Sequence, residues 1–377
     1  MKTIVFVIES LHLGGAEKSL VTLLGNLDYS KYNIDLITFK ENGPFRELVP
    51  NKVNYINLSF PKLTLLDRTK FFLKRKLKTK QHNAQVFWSI VQNRFNQFPK
   101  TYDIAIAYNQ GFSTYFVGKY IIAIKKYSWL NTDYKKAGYN ISFDYPIYKK
   151  FNKIIVVSPE SNESFKRELK SFSKELSIAV IKDITDNKAI KLLGKKPLNA
   201  PFNLNKINIV SVGRLVTSKG FHLAIKSCKI LLDKDYPIKW YLVGEGSERK
   251  NLQKLINENH LENYFFLIGA DSNPYPYMKN ATIYVQTSLF EGLGLTVVEA
   301  NYLNKPIVST NFPTVHGILK AGKTGLIAKM NAKSIANQIE ILINDVPLRE
   351  KFIKNSSMEE NNDKEETLKK INNLLNY

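Results

Sequence analysis

The sequence predicts an α/β protein made of two doubly wound halves, each built on a parallel sheet. Short apolar runs typical of buried strands alternate with segments whose apolar residues recur at helical spacing. An aperiodic stretch with prolines interrupts this alternation over residues 183–205, and 377 residues are long for a single core. We therefore predict an N-terminal domain over residues 1–182, a linker over 183–205, a C-terminal domain over 206–355 and a polar tail over 356–377 that packs back on the N-terminal domain.

The N-terminal domain is predicted to hold six strands. The first, TIVFVI, is a continuous apolar run of the kind found in sheets that are covered on both faces. Helical spacing follows in AEKSLVTLLGNL and again in AQVFWSIVQNRF, so parallel βαβ units are expected. The predicted strands occupy residues 3–8, 34–39 and 103–108 and three further segments that end at residues 130, 158 and 181.

The C-terminal domain repeats the alternation from INIVSVG onward. Because ligands of such sheets bind at the carboxyl ends of the strands, the loops that follow these strands are the candidate binding segments. Strands are predicted at residues 207–213, 238–244, 265–270, 282–288, 306–310 and 325–329. Helices are predicted at residues 220–232, 247–258, 275–280 and 296–303, and they continue from residue 331.

Composition indicates a globular chain in a reducing compartment. Hydrophobic residues make up 44% and aromatic residues 12%, which excludes general disorder. The one cysteine, Cys228, lies in a helical apolar segment where a buried role is expected, so neither a disulfide framework nor a cysteine metal site is expected. Glu9 interrupts the first apolar run too early for a signal peptide, and no apolar run approaches the ~18 residues that span a bilayer.

The formal charge of +22 is concentrated in the first 200 residues. Its peak is the basic segment, residues 62–80, which favours docking on an anionic membrane surface. The alternatives are a solvated basic helix whose apolar side packs on its own domain and, last, a nucleic-acid surface, which we do not expect. Apolar and basic side chains interleave in this segment: Leu65, Leu66, Phe72, Leu73 and Leu77 with Arg68, Lys70, Lys74, Arg75, Lys76, Lys78 and Lys80.

Two carboxylates flank a glycine loop in SLFEGLGLTVVEA. Glu291 precedes the predicted helix at 296–303, and Glu299 follows about a turn inside it. Gly292 and Gly294 allow a tight turn that aims helix N-terminal N–H groups at an anion. A sugar joined to a diphosphate needs this combination of hydroxyl acceptors and phosphate donors. The simpler alternative is a surface loop followed by an acidic first turn, which the helix dipole favours.

Three more glycine loops come directly after predicted strands. In SVGRLVTSKGF, two cations, Arg214 and Lys219, lie five residues apart beside a helix start and can neutralise a diphosphate. The loop LHLGGAEKS brings Gly14 and Gly15 to a helix start, although an ordinary strand-to-helix turn explains it equally well. The turn LVGEGSER resembles a dinucleotide fingerprint only weakly, because it lacks the full glycine spacing.

Five motifs in one order, GGAE, VGRL…KG, VGEGSER, EGLGLTVVEA and KPIVST, resemble those of glycosyltransferase family 4, which has the GT-B fold. The resemblance implies two Rossmann-like doubly wound domains facing a central cleft. It implies a nucleotide-sugar donor, UDP-linked by expectation, held mainly by the C-terminal domain, and an acceptor held by the N-terminal one. It also implies transfer with retention at the anomeric carbon, with no metal and no cofactor.

The resemblance assigns roles to individual residues. Arg214 and Lys219 would hold the diphosphate and stabilise the leaving nucleotide, and Glu291 would face the donor sugar as the third catalytic residue. Glu299 would bind the ribose, and the turn around Gly269 would lie beside the base. The full donor-binding set is Gly14, Gly15, Gly213, Gly244, Glu245, Gly269, Gly292, Gly294, Leu295, Thr296 and Glu299.

One position departs from the family pattern. Many relatives carry a histidine and then an aspartate after the strand that here ends at Leu130, whereas this chain has Asn131 and Asp133. Asn131 can donate and accept hydrogen bonds but cannot titrate as an imidazole does, so a different donor sugar is one explanation. Asn131, Asp133 and His12 are the candidates on the acceptor and sugar side, although a structural role is the simpler explanation for His12.

The sequence therefore predicts a cytoplasmic transferase, peripheral at the inner face of the cell membrane. It would move a sugar to a glycan or polyprenyl-linked saccharide acceptor in capsule or exopolysaccharide assembly. A nucleotide-sugar epimerase or phosphorylase of the same architecture is the enzyme alternative. A basic module that binds membrane or nucleic acid without catalysis would explain the charge but not the glycine loops. The only Asp-x-Asp pair, Asp233 and Asp235, ends a predicted helix, so a polar turn explains it better than a metal site.

Overall fold

The computed structural model describes residues 1–41, 43–77, 81–172, 175–198, 202, 206–359 and 362–376. It separates into two compact units, Met1–Ile184 with Glu365–Tyr377, and Thr185–Lys364. Parts of three predicted segments lie outside the described residues. They are residues 78–80 of the basic segment, 199–201 and 203–205 of the predicted linker, and 360, 361 and 377 of the predicted tail.

The first unit is built on a seven-stranded sheet in the order β3-β2-β1-β4-β5-β6-β7. Every pairing is parallel. The strand order reverses between β1 and β4, which is where a doubly wound sheet opens a crevice at its carboxyl edge. The strands are β1 Lys2–Val7, β2 Tyr32–Thr38, β3 Asn54–Asn57, β4 Thr101–Ala107, β5 Ile122–Leu130, β6 Lys153–Val156 and β7 Ile178–Val180.

Helices cover this sheet and bury an aromatic core. Trp88 packs edge-on against Phe112, with ring centroids 5.4 Å apart, and Tyr108 stacks on Trp129 at 5.2 Å. Burial of such rings supplies much of the stabilisation of the unit. The helices are α1 Gly15–Leu24, α2 Leu65–Lys76, α3 Asn83–Val91, α4 Phe112–Tyr120, α5 Ile141–Tyr148 and α6 Pro159–Leu169, with a 3-10 turn at Pro44–Leu48.

The second unit has a six-stranded parallel sheet in the order β10-β9-β8-β11-β12-β13. Its strand order reverses between β8 and β11. The strands are β8 Ile207–Val212, β9 Ile238–Val243, β10 Phe265–Gly269, β11 Ile283–Gln286, β12 Ile307–Thr310 and β13 Gly325–Ala328. The helices are α7 Asn187–Leu193, α8 Phe221–Leu232, α9 Arg249–Glu258, α10 Tyr275–Asn280, α11 Leu295–Tyr302, α12 Ala332–Asn344, α13 Val346–Met358 and α14 Asp363–Asn376, the last of which continues into the first unit.

Apolar clusters lie on both faces of the second sheet, so its strands read as continuous apolar runs. Cys228 is fully buried in α8, which confirms the role expected from its helical spacing. Two parallel-sheet units with helices on the sheets also confirm the predicted fold class. Within the described ranges, no helix is both long enough and apolar enough to cross a bilayer.

The segment predicted as a linker, residues 183–205, contains ordered structure in its first half. Helix α7 begins after Asp186, whose carboxylate accepts the backbone N–H of Ala189 at 3.0 Å. Ile190 on this helix is buried in the core of the second unit. This helix was not predicted from the sequence because its composition is polar and rich in lysine, and only the face that packs on the unit carries apolar residues.

The segment predicted as a polar tail, residues 356–377, is largely helical. On α14, Ile371, Leu374 and Leu375 recur at helical spacing and are buried in the first unit. The Lys2 ammonium donates to the carbonyl of Leu375 at 3.0 Å, close to the helix C-terminus, where a cation is favourable. The chain therefore returns to the unit in which it began.

Candidate functional site

In the second unit, the loops after β8 and β11 pack against each other at the point where the strand order reverses. The backbone N–H of Leu289 donates to the carbonyl of Ser218 at 2.8 Å, and the Thr287 hydroxyl donates to the carbonyl of Lys219 at 2.9 Å. Gly220 has a φ of +63°, and a Cβ there would lie 2.2 Å from the Thr287 carbonyl oxygen. Only glycine therefore allows this approach, which brings Lys219 beside the carboxylate loop.

Lys219 and Glu291 form an ion pair between these two loops. The Lys219 Nζ lies 2.6 Å from Glu291 Oε1, and the two side chains are 16% and 12% exposed. The same carboxylate oxygen accepts the Ser288 hydroxyl at 2.6 Å and the Gln286 amide at 3.2 Å. The carboxylate is thus fixed by three donors, while both members of the pair still reach solvent.

The loops after β8, β9 and β10 are joined through their backbones. The Gly244 N–H donates to the carbonyl of Gly269 at 2.8 Å, and the Leu215 N–H donates to the carbonyl of Glu245 at 2.9 Å. A Cβ on Gly244 would lie only 1.9 Å from the carbonyl oxygen of Gly213. Gly244 is therefore required by close packing of the loops at the carboxyl edge of the sheet.

Two charged side chains on these loops, Arg214 and Glu245, are exposed. The Arg214 side chain is exposed and makes no hydrogen bond or ion pair within the described part of the chain, although the backbone carbonyl accepts the N–H of Val216 at 2.8 Å. The Glu245 carboxylate pairs with Arg249 of α9 at 2.5 Å, and each of these side chains is more than 40% exposed. Arg214 is therefore available to an anion at this edge, whereas Glu245 contributes its backbone to the loop and its carboxylate to a surface pair.

Helix α11 begins at the glycine loop. Gly294 has a φ of +91°, and a Cβ there would lie 3.0 Å from Ile318 and 3.2 Å from Phe312. The backbone N–H groups of Leu295 and Thr296 come before the first intrahelical donor of this helix, which is Val297 bonding to the carbonyl of Gly294. The buried Gly292 and Gly294 thus place the start of a helix, a natural anion site, four residues after Glu291.

Glu299 lies deeper than Glu291. Its side chain is 3% exposed, and its Oε1 accepts the Tyr275 hydroxyl of α10 at 3.2 Å. Burial and the Glu299 charge raise the pKa of Tyr275 well above its ordinary value, so the phenol stays a donor. The two predicted carboxylates therefore have different surroundings, with Glu299 held by α10 and Glu291 held by the lysine loop.

In the first unit, Asn131 is held by a buried acid. Its amide nitrogen Nδ2 donates to Asp183 Oδ1 at 3.1 Å, and its backbone N–H donates to Gln110 Oε1 at 2.9 Å. Burial raises the pKa of Asp183 to about 7, while hydrogen bonds from Ser19 and Asn131 act in the opposite direction. Asp183 follows β7 and Ser19 lies on α1, so Asn131 is tied to the glycine-led helix.

The other first-unit candidates have contacts or surroundings of their own. Asp133 accepts the Lys136 N–H at 3.0 Å and the Ser164 hydroxyl at 2.9 Å, the arrangement of a carboxylate that caps a turn. His12 is exposed. Gly15 begins α1, and a Cβ on Gly14 would lie 2.1 Å from the Glu17 carboxylate, which folds back over this helix start.

Sequence reasoning missed four residues of these sites: Gln286, Ser288, Tyr275 and Asp183. Gln286 left a usable signal, because it is a fully buried polar residue at the end of the apolar strand β11. Ser288 lies three residues before Glu291, in the spacing that lets a side chain reach forward. Tyr275 and Asp183 left none, since their partners are distant in sequence. Among the described residues, no group of three His, Cys, Asp or Glu side chains could hold a metal ion.

Residues 196–358 match the family model described as Glycosyl transferases group 1. An uncharacterized glycosyltransferase of Methanocaldococcus jannaschii is 32% identical over 190 residues, which cover 48% of this chain and 46% of that protein. The chain thus spans less than half the length of this relative, and the same is true of two Staphylococcus aureus relatives, at 32% and 37% of their length. Residues 196–358, which match the family model, contain every candidate site residue of the second unit.

One relative aligns along nearly the whole chain. The N-acetylgalactosamine-N,N'-diacetylbacillosaminyl-diphospho-undecaprenol 4-alpha-N-acetylgalactosaminyltransferase of Campylobacter jejuni is 27% identical over 366 residues, 93% of each chain. Among solved structures, Anabaena Alr3699/HepE in complex with UDP-glucose superposes with a TM-score of 0.73 at 16% identity, covering 99% of this chain and 100% of that one. This similarity shows the two-unit GT-B fold.

Proposed function

We propose that this protein is a retaining glycosyltransferase that moves a sugar from a UDP-sugar to a carbohydrate acceptor. The observation that carries the proposal is the Lys219–Glu291 pair, set between the loops where the strand order of the second sheet reverses. A cation, a carboxylate and a helix start meet there within one pair of loops. These are the groups that a nucleoside diphosphate joined to a sugar requires.

Each group has a separate task in the proposed reaction. The anomeric carbon–oxygen bond to the diphosphate breaks, and the acceptor hydroxyl oxygen bonds to that carbon on the same face while its proton passes to the departing phosphate. Lys219 and Arg214 stabilise the charge that develops on the diphosphate. The N–H groups of Leu295 and Thr296 bind phosphate, and Glu291 accepts hydroxyls of the sugar. Glu299, buried against Tyr275, is proposed to accept the ribose hydroxyls.

We further propose that the reaction needs no metal ion and no cofactor. Arg214 is exposed beside Lys219 in the same loop, so two cations are available to a diphosphate. Two side-chain cations and a helix start can supply the charge that a divalent ion supplies in other phosphoryl and glycosyl sites. Activity that persists in excess chelator is the expected result, and loss that is restored by a divalent ion would contradict this part.

The acceptor is proposed to be a lipid-linked saccharide used in surface polysaccharide assembly. The Campylobacter jejuni relative is named for a diphospho-undecaprenol acceptor. Helix α2 of the first unit supports approach to a membrane at its inner face. Apart from the half-buried Phe71, the apolar residues of this helix and the Leu77 that follows it are exposed: Leu65, Leu66, Phe72, Leu73 and Leu77 are 77%, 71%, 60%, 56% and 76% exposed.

One side of α2 is bound to the rest of the first unit, and the opposite side is exposed to solvent. Asp67 is its one buried residue and takes two hydrogen bonds from Arg94, at 2.8 and 2.7 Å. Leu65, Leu66, Phe72 and Leu73 recur at seven-residue spacing and so share one exposed stripe. Cations flank this stripe, which matches an anionic lipid surface in charge and in polarity.

A donor and acceptor screen tests the proposal. The purified protein is incubated with a panel of UDP-sugars, with and without a polyprenyl-diphosphate saccharide, and released UDP and product are measured. UDP release that depends on acceptor, with a product whose anomeric configuration matches the donor by NMR, is the expected result. Interconversion of donors without acceptor would instead indicate an epimerase, and no turnover of any donor would indicate a binding protein.

A further inference from the structure

The side chain of Gln286, at the end of β11, bonds both to Glu291, which is proposed to bind the donor sugar, and to Thr296, which is proposed to bind phosphate. It is fully buried. Its Nε2 donates to Ser288 Oγ at 2.6 Å and to Glu291 Oε1 at 3.2 Å. Its Oε1 accepts the hydroxyls of Tyr284 at 2.8 Å and Thr296 at 3.1 Å. Both donors and both acceptor positions of the amide are therefore used.

The orientation of this amide is determined by its neighbours. An ionised Glu291 carboxylate can only accept hydrogen bonds, so the amide nitrogen must face it. The hydroxyls of Tyr284 and Thr296 can then donate to the amide oxygen. Burial raises the pKa of Tyr284, so its phenol keeps the proton that this bond needs. A side chain of the same shape without an amide could satisfy one end of the network but not both.

We propose that Gln286 is a positioning residue that sets the Glu291 carboxylate for the donor sugar and holds Thr296 at the start of α11, an inference that rests on the proposed function. Glu291 forms an ion pair with Lys219 at 2.6 Å, and Thr296 is the second residue of the helix proposed to bind phosphate. One buried amide thereby links the sugar side of the site to the phosphate side. Gln286 has no contact with the ligand in this account and acts through its two neighbours.

Two variants of Gln286 and two probes test this role. Gln286→Met keeps the volume but removes the amide, and Gln286→Glu keeps the shape but replaces the donor with an oxygen. With the UDP-sugar that supports transfer, we expect kcat/KM to fall about 10- to 100-fold in both, the range for loss of a hydrogen bond to a charged group. The Kd for UDP alone should rise by a smaller factor than kcat/KM falls, because Lys219 and Arg214 still bind the diphosphate and only the hydrogen bond that holds Thr296 is lost.

The pH profile gives a readout that a purely structural role would not change. In Gln286→Glu, two carboxylates face each other, so one of them is protonated at acidic pH and can again donate to its neighbour. The other ionisable groups around this position are Lys219 and Tyr284, with Glu299 acting on Tyr284. We expect the loss in Gln286→Glu to shrink below about pH 5, where a pair of carboxyl groups can share a proton, and the loss in Gln286→Met to be independent of pH.

Asn208 offers a matched control, since its side-chain amide is buried near the start of β8 in the same sheet and its Nδ2 donates to the carbonyl of Lys206 at 3.4 Å. Like Gln286→Glu, Asn208→Asp replaces a buried side-chain amide with a carboxyl group, but it does so away from the site. We expect kcat/KM for the donor and affinity for UDP to change by the same factor in this variant. Equal losses of UDP affinity and turnover in the Gln286 variants, or no recovery of Gln286→Glu in acid, would overturn the proposal.

Failure of the proposed function gives a different result. In that case the unaltered protein neither binds UDP nor transfers sugar, whatever residue stands at 286. Even without activity, the melting temperature tests the hydrogen-bond network around Gln286. It should fall more steeply with rising pH in Gln286→Glu than in Gln286→Met, and parallel curves would overturn the positioning role.

Discussion

At the scale of single residues, Lys219 is the side chain from which the account expects the largest effect. Its ammonium forms an ion pair with Glu291 at 2.6 Å and lies beside the proposed position of the diphosphate. In Lys219→Met, we expect UDP affinity to fall about 10- to 100-fold and turnover to fall further, because the charge matters most when the diphosphate leaves. Titration calorimetry with UDP and steady-state kinetics measure the two effects.

Lys229 is the control for this change. It lies on α8 of the same unit and pairs with Asp233 one turn along the helix, with a side chain that is 40% exposed. Lys229→Met removes the same charge from the unit, so UDP should bind as it does to the unaltered protein. Equal UDP affinities for Lys219→Met and Lys229→Met would remove Lys219 from the proposed site.

Asp183 should make the stability of the first unit depend on pH. Its pKa is raised from 3.8 to about 7 by burial, so folding binds a proton in this window and stability falls as pH rises from about 4 to about 7. Asp183→Asn cannot ionise. Because one pKa unit corresponds to about 1.4 kcal/mol and the rise is about three units, the unfolding free energy of the variant should gain up to about 4 kcal/mol at pH 8 and little at pH 4.

Tryptophan fluorescence during urea unfolding can measure this difference. Trp88 and Trp129 lie in the first unit, so a Trp240→Phe background limits the signal to that unit. The exposed Asp233 in the second unit serves as control, and Asp233→Asn should leave the first-unit transition unchanged. If the difference in unfolding free energy between Asp183→Asn and its parent does not grow with pH, the pKa of Asp183 is not raised by folding and the prediction is wrong.

At the scale of elements, the glycine loops are set by contacts between backbones. In Gly244→Ala, the new Cβ would meet the Gly213 carbonyl oxygen at 1.9 Å, so the loops after β8 and β9 must separate. We expect the second unit to lose about 1–3 kcal/mol of unfolding free energy, as for other overpacked sites. Gly317→Ala, where no atom lies within 4 Å, should be nearly neutral. Thermal unfolding compares the two, and equal melting temperatures would contradict the contact.

Helix α2 is the element that should bind membrane. In Phe72→Asp with Leu73→Asp, two exposed apolar residues become acidic, so retention on vesicles that contain anionic lipid should fall at low salt. Leu192→Asp is the control, because Leu192 is 67% exposed on α7 of the second unit. Co-sedimentation measures retention. No binding by the unaltered protein, or equal binding by both variants, would contradict the membrane role.

The strands and glycine loops were predictable because they depend on local pattern. Continuous apolar runs revealed β1 and β8, and glycines after strands marked the segments where the chain turns tightly. The four-residue strand β3, Asn54–Asn57, was missed, since it lies at the sheet edge and alternates with asparagine. Gln286 and Asp183 were missed because their roles arise from side chains that only the fold brings together.

At the scale of the whole molecule, the two units carry different chemistry on similar sheets. Both strand orders reverse beside the first strand of the unit, and both first strands lead into a glycine loop and a helix. The Lys219–Glu291 pair belongs to the second unit, and the exposed apolar stripe with its cations belongs to the first. This division supports donor binding by the second unit and acceptor and membrane binding by the first.

Hydrogen exchange in the presence of UDP tests most directly where the donor binds. The central claim is that the second unit holds the nucleoside diphosphate at the loops after β8 and β11. Saturating UDP should slow exchange in peptides that cover residues 213–220 and 291–299, and Lys219→Met should abolish this protection at the same UDP concentration. Protection confined to the first unit, or none in these two loops despite measurable UDP binding, would contradict the account.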